Sequence, residues 1–481
     1  MLFNSIEFIL FLPTVFVLFW FAFKNSITAQ NTLIIGASYL FYGWWDYRFL
    51  GLIILSSIID YTIAIGIHKS VTILRKKYLL WISIAVNLGI LGFFKYFNFF
   101  IDSAEGVLNL LGMKADFVTI NVLLPVGISF YTFQTLSYTI DVYKGEIKAE
   151  KSLLSFFAYV SFFPQLVAGP IERAKNFLPQ FSKSKTFNYD KSVDGCRQIL
   201  WGFFKKVVIA DSCSPYVDMI FSDPSNYNGP TLLLGAVLFA FQIYGDFSGY
   251  TDIAIGTARL FGFDLMRNFA YPYFSRDIAE FWRRWHISLS SWFKDYLYFP
   301  LGGSRGSKSK TIRNVFIIFL VSGFWHGANW TFVVWGGLNA MYFLPSLIGG
   351  NNRRYLDVAG QNSSGPSLLE LKNILVTFLM TCLAWVFFRA ESVGHALVYL
   401  WHLVNPFLWG NENDSIYDLS MMTLVAFILI LLNVEWRMRK QEHGLSKLTS
   451  NAYTRHIMYC LLVLTITYHW SGEQEFIYFQ F

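Results

Sequence analysis

The chain has 481 residues, of which 54% are apolar, 19% aromatic and only 14% charged, where a soluble domain carries about 25% charged residues. With a mean hydropathy of +0.42, these values exclude a soluble globular protein, a disordered chain and a disulfide-stapled secreted domain. They leave an integral membrane protein with several spans. The net charge of +7 is no nucleic-acid footprint. The bases sit in short clusters between apolar runs (Lys69, Arg75, Lys76 and Lys77; then Arg437, Arg439 and Lys440), as they do in loops facing the cytoplasm. No nucleic-acid partner is expected.

Apolar runs of bilayer length, roughly 20 residues, are predicted near 7–23, 30–46, 48–67, 78–100, 117–140, 152–170, 196–222, 230–262, 313–345, 372–389, 416–434 and 456–471. No base precedes the first run, because Lys24 follows it. Phe8 to Phe23 therefore reads as a retained span with its N-terminus outside rather than as a cleavable leader. Within 117–140, Gln134 is an intramembrane polar group that could line a channel. The run 152–170 holds Pro164, Gly169 and Pro170 and has the features of a re-entrant segment. The run 196–222 carries Arg197, Lys205, Lys206 and Asp211, which suggests an interfacial helix.

The run 230–262 contains a polar island, Tyr244-Gly245-Asp246-Phe247-Ser248-Gly249-Tyr250-Thr251-Asp252. Asp246 and Asp252 are six apart, so they do not share a face of a continuous helix. Pairing with Arg283 or Arg284, to hold the bundle together, is the expected role, with direct catalysis as the other possibility.

Residues 267–313 break the apolar monotony. Ile278, Phe281, Trp282, Trp285, Leu289, Trp292, Phe293 and Tyr296 fall at helical spacing, and Arg283, His286, Ser290 and Lys294 line the opposite stripe. This predicts one amphipathic helix at the cytoplasmic interface, ended by Pro300-Leu301-Gly302-Gly303.

The run from Asn314 to Leu344 is uncharged. It contains Phe324-Trp325-His326-Gly327-Ala328-Asn329, and on a continuous helix His326 stands roughly 18 Å along it, near mid-membrane. An ionisable group there is costly and marks a functional site by default. Neutral imidazole is also the form that serves as a general base. The bland alternative is a histidine satisfied by Asn329 or by a backbone carbonyl. Gly323, Gly327, Gly336 and Gly337 likewise fit either close helix packing or a broken helix around a cavity.

Toward the end, loop 435–455 is rich in bases and reads as cytoplasmic, whereas Glu412 and Asp414 place loop 405–415 outside. The last run then delivers the tail 472–481 to the outer face. No repeat or linker divides the chain, so residues 1–481 read as a single membrane domain. The four cysteines (Cys196, Cys213, Cys382, Cys460) show neither CxxC spacing nor pairing. No metal ligand set falls near His286 or His326, and no bound cofactor or metal is expected.

Trp285-His286-Ile287-Ser288-Leu289-Ser290, Trp292, Asp295-Tyr296, Pro300-Leu301-Gly302-Gly303 and Trp325-His326-Gly327 resemble the signature of the membrane-bound O-acyltransferases, in the bacterial alginate O-acetyltransferase branch. Asp246 to Asp252, Asn268-Phe269 with Pro272-Tyr273, and Val167-Ala168-Gly169-Pro170-Ile171 look like parts of the same pattern. The resemblance runs from about residue 5 to the end of the chain. It implies an all-α integral membrane fold, a ring of about eleven transmembrane helices, with re-entrant and interfacial helices, around a central tunnel. It also implies transfer of an acetyl group from a cytoplasmic thioester, acetyl-CoA or an acyl carrier protein, to an exported polysaccharide. His326 matches the family's catalytic histidine and His286 its second signature position. Asp246, Ser248, Asp252, Arg283, Trp285, Ser290, Trp325, Asn329 and Gln134 would support the channel.

The resemblance further implies a multi-pass protein of the bacterial inner membrane and a periplasmic SGNH-type esterase-like partner. The end of the chain, Phe476-Ile477-Tyr478-Phe479-Gln480-Phe481, is similar to the C-terminal tyrosine motif on the small partner of the teichoic acid D-alanylation acyltransferase. Tyr478 is then either an acyl carrier, activated by His326, or an aromatic anchor at the membrane surface. D-alanyl transfer of the teichoic acid type, and a non-catalytic transporter or channel, are the alternative functions.

Overall fold

The structure is a computed structural model, and it describes residues 1–113, 123–408, 416–447, 451–472, 474, 476 and 477. All regular structure among the described residues is helical. Among the described residues, six stretches are long and apolar enough to cross a membrane: Ile27–Lys69, Ile73–Leu110, Gly229–Leu260, Trp330–Ile348, Leu368–Arg389 and Leu419–Arg437. Two shorter apolar helices are Ile6–Ala22 and Val393–Val404. The first long stretch joins two of the expected runs through the 3-10 turn Tyr47–Phe49, where the Asp46 carboxylate accepts the Arg48 amide. The run near 152–170 is two short helices, Leu153–Ser161 and Phe163–Leu166, too short to cross as a helix. Part of the run 117–140, the tail from residue 478 and both acids of loop 405–415 lie outside the described residues.

The chain forms two compact units, Met1–Ser192 with Ala258–Leu265 and Val193–Thr257 with Met266–Phe481. In the first, the helices Leu50–Lys69, Ile73–Leu91 and Ile128–Lys144 pack on one another. Apolar burial gives little orientation in lipid, so polar contacts fix the register. Asp60 is buried at their crossing, where its carboxylate accepts from Asn87 Nδ2 (2.8 Å), Thr139 Oγ1 (3.2 Å) and Ser83 Oγ. Gln134 also belongs to this unit. It donates to the Tyr159 carbonyl and accepts from Gln165 Nε2, each at 2.8 Å, so it serves as a helix tie.

The second unit carries both signature histidines. Two continuous helices expected from its sequence are broken. The amphipathic stretch is two short helices, Ile278–Arg284 and Ile287–Phe293, followed by the π-helical turn Lys294–Tyr298. His286 sits at the break in the left-handed conformation (φ 44°) and is buried, instead of lying on a polar stripe. The run beginning at Asn314 splits at the extended residue Gly327 into Lys308–His326 and Trp330–Ile348. His326 thus ends a helix rather than occupying the middle of one. Asn329 caps the next helix, its Oδ1 accepting the Thr331 amide at 3.0 Å.

Small residues set how these two helices meet. A Cβ on Gly323 would collide with the Phe332 carbonyl, and one on Gly336 with the Phe319 carbonyl. Gly323 and Gly336 thus pack the hairpin tightly, and the chain breaks at Gly327.

Candidate active site

His326 ends its helix in an aromatic box. Its ring centroid lies 5.0 Å from Trp325, 5.2 Å from Trp335 and 5.4 Å from Phe388. Only 3% of the residue is exposed. His286 approaches the same box, with its ring 6.3 Å from His326 and 6.0 Å from Trp325. Two breaks in the chain, at His286 and at Gly327, therefore bring the signature histidines together.

Asn268 orients His286. Its Oδ1 accepts the Ser288 amide (3.2 Å) and the Ser288 hydroxyl (2.9 Å), and lies 3.1 Å from Nδ1 of His286. A backbone amide can only donate, so this Asn268 atom is the oxygen and Nδ1 of His286 carries the proton. Nε2 is left as the acceptor. It is buried, with no hydrogen-bond partner among the described residues. Burial also pushes the His286 imidazole down to about 3, so it is neutral at ordinary pH. A buried non-glycine residue at positive φ is costly and is held there by its surroundings. Here the Ile287 amide donating to the Asn268 carbonyl at 2.9 Å does part of that holding.

Beside the histidines lies a layer of buried ion pairs. Lys205 reaches Asp252 at 2.6 Å and donates to Ser248 Oγ at 2.8 Å, while Gln198 donates to Asp252 at 2.8 Å. Lys206 bridges Asp246 (2.6 Å) and Asp211 (2.9 Å). Asp246 and Asp252 do hold the bundle by ion pairing, but their partners are these lysines. Arg284 instead pairs with Glu280 at 2.8 Å, and Arg283 donates to the carbonyls of Asn352 and Tyr355. The lysines belong to a buried π-helical stretch, Phe204–Ala210, and do not face an interface. That stretch comes close to the helix Gly229–Leu260 because Gly245 and Gly249 lack side chains. A Cβ on Gly245 would stand 2.7 Å from the Lys205 carbonyl, and one on Gly249 2.7 Å from that of Gly202.

The remaining expected residues fall as follows. Trp285 is fully buried and ties the layers together, 5.0 Å from Phe269 and 5.1 Å from Trp385. Ser290 donates to the Trp285 carbonyl at 3.5 Å. Asn329 donates to the Glu391 carbonyl at 3.0 Å. Asn268, Lys205, Lys206, Trp335, Phe388 and Glu435, whose carboxylate accepts from the Tyr244 hydroxyl at 2.8 Å, were not singled out from the sequence as site residues. Asn268 was visible as part of the resemblance, and the lysines only as charges in an apolar run.

The last described residues, Phe476 and Ile477, pack into the same unit. The Ile477 amide donates to Asp246 Oδ2 at 2.7 Å, and the Phe476 ring packs 5.1 Å from Tyr250 and 5.7 Å from Phe247. Phe247 lies 4.7 Å from His286, so one aromatic ring separates Phe476 from a signature histidine. A cavity of about 300 Å³ opens beside the tail, lined by Lys206, Asp211, Asp246, Arg389, Gln474 and Ile477 among others. Tyr478 lies outside the described residues. Among the described residues no group of three or more His, Cys, Asp or Glu side chains could hold a metal ion.

The sequence profile of the membrane-bound O-acyltransferase family matches residues 39–355, which include both histidines. The chain belongs to this family. It is a multi-pass membrane acyltransferase. It is 40% identical over 437 residues to a protein of Azotobacter vinelandii described as "Probable alginate O-acetylase AlgI", covering 90% of this chain and 83% of the relative. To the "Peptidoglycan O-acetyltransferase" of Helicobacter pylori it is 36% identical over 432 residues, 83% of this chain and 79% of that one. The "Teichoic acid D-alanyltransferase" of Streptococcus thermophilus is 33% identical over 258 residues, which spans 50% of this chain and 61% of the relative.

In this acyltransferase the two histidines share a buried aromatic enclosure, and a neutral imidazole is the form that can take a proton from a hydroxyl.

Proposed function

We propose that this acyltransferase moves an acetyl group from a cytoplasmic thioester, acetyl-CoA or an acyl carrier protein, through the membrane for O-acetylation of an exported polysaccharide. The observation that carries the reading is the pair of buried imidazoles 6.3 Å apart. The names of the A. vinelandii and H. pylori relatives support acetyl as the group and a cell-surface glycan as its destination. D-alanyl transfer is the lesser reading, since the D-alanyltransferase likeness spans only half of this chain.

In the proposed chemistry His326 is the base and Tyr478 the acceptor. The Tyr478 hydroxyl attacks the thioester carbonyl as the imidazole takes its proton, because a phenol with a pKa near 10 is a weak nucleophile unaided. The C–O bond forms, the C–S bond breaks, and the leaving thiolate recovers the proton from the imidazolium. His286, neutral and oriented by Asn268, would offer its Nε2 as an acceptor for the incoming donor. The exposed bases Arg305, Lys308, Lys310 and Arg313 would receive the anionic donor from the cytoplasm. The acyl group then leaves the tail on the outer face for a periplasmic SGNH-type partner, which places it on the polysaccharide. The reading places the enzyme in a bacterial inner membrane.

Proteoliposomes with acetyl-CoA enclosed test the reading. Ester-linked acetyl should appear on an SGNH-type esterase-like protein added outside, and should not appear with His326→Ala. Equal acetylation by that variant would refute it.

A further inference from the structure

The last described residues are built into the second unit rather than laid along its surface. Phe476 is 1% exposed and Ile477 6%. Phe476 fills a gap between Phe247 and Tyr250, one helical turn apart on Gly229–Leu260. The next residue makes a single directed polar contact, its backbone amide donating to Asp246 Oδ2 at 2.7 Å. Asp246 is 2% exposed, and its other oxygen meets Lys206 at 2.6 Å. Lys206 is in turn fixed by Asp211 at 2.9 Å. The carboxylate is therefore held on one side so that its second oxygen points at the tail. An amide-to-carboxylate bond in a dry site is charge-assisted and directional. A backbone donor also reads chain position rather than side-chain identity.

We propose that Asp246, held by Lys206 and Asp211, is the positioning residue that docks the C-terminal segment at Ile477 and so sets where the following residues stand relative to the histidines. Phe247 gives the docking its reach, its ring packing against both Phe476 and His286. The tail in its seat also walls the 300 Å³ cavity through Gln474 and Ile477. The inference deepens the proposed role of Tyr478 and rests on it for its catalytic consequence, but the seat itself stands on the contacts of residues 476 and 477.

Two measurements on the full-length protein test it. In a background with the exposed cysteines replaced (Cys196→Ser, Cys460→Ser), Ile477→Cys keeps the amide and reports accessibility through its maleimide reaction rate. Adding Asp246→Val should raise that rate roughly tenfold, the scale of one charge-assisted hydrogen bond. An unchanged rate would overturn the seat. In the wild-type background, Ile477→Pro removes the amide donor and leaves the ion pairs untouched, at the added cost of a fixed φ and a smaller side chain. It should lower acyl transfer roughly tenfold, whereas Ile477→Val should not. Equal transfer by the two would overturn the positioning role. Tyr478→Phe separates this inference from the reading beneath it. In that variant Ile477→Cys should stay protected, and if transfer also survived, the carrier role would fall while the seat stood.

Discussion

The imidazoles of His286 and His326 stand 6.3 Å apart, and the indole of Trp325 packs against both. Neither side chain reaches this position from a regular helix interior. His286 caps one short helix in the left-handed conformation, and His326 closes another just before an extended glycine. The pair exists because two apolar stretches are interrupted, and the interruptions face the same aromatic enclosure.

His326→Ala should lower acyl transfer by about 10²–10⁴-fold, the usual range for a lost general base, with the protein still monodisperse in detergent. His286→Gln keeps a polar side chain at the break and should reduce transfer less. Comparing both rates with size-exclusion profiles checks this.

The hairpin that presents His326 depends on its glycines. Gly323→Ala would force a methyl into the Phe332 carbonyl, whereas Gly337→Ala meets only Leu320 Cδ2, at 3.8 Å. The first should cost about 1–3 kcal/mol of stability and reduce transfer by shifting His326. The second should leave both close to wild type. Thermal melts of the two variants in the same detergent separate them.

The ion-paired layer predicts non-additivity. Lys205→Met leaves Asp252 buried without its cation, a loss of about 3–5 kcal/mol in comparable cases. Asp252→Leu strands the lysine in the same way. The double variant should be destabilised by clearly less than the sum of the singles, since removing both partners leaves no lone charge. A double-mutant cycle on melting temperature reads this directly.

Acid should destabilise the second unit through His286. Its folded-state imidazole is held down to about 3 by burial, while the unfolded chain takes up its proton near the ordinary 6.5. Below that value the unfolded state binds more protons, so stability is retained above about 6.5 and lost progressively as the pH falls. His286→Gln should flatten this part of the pH dependence of melting. An unchanged slope would mean that the imidazole does not titrate on unfolding.

Much of this site was legible in the residues. His326 stood out because an ionisable group in an uncharged run has a cost that demands a reason, and the glycines around it already allowed a break. The aspartates were expected to pair with Arg283 or Arg284, and the structure pairs them with Lys205 and Lys206 instead. What could not be read was the pairing. Lys205 and Lys206 looked interfacial, because a single sequence shows a charge in an apolar run but not the opposite charge on the helix it packs against. The stripe through Arg283, His286, Ser290 and Lys294 assumed a continuous helix. The left-handed turn at His286 reverses that assignment, and it is stabilised by Asn268, far away in sequence. Close approach at Gly245 and Gly249 likewise depends on which backbone lies opposite.

The most direct test of the account is covalent labelling of the purified enzyme with radiolabelled acetyl-CoA, located by mass spectrometry, in wild type, His326→Ala and Tyr478→Phe. The account predicts label on Tyr478 in wild type and none in either variant. Label that appears elsewhere, or that persists on Tyr478 in His326→Ala, would contradict it.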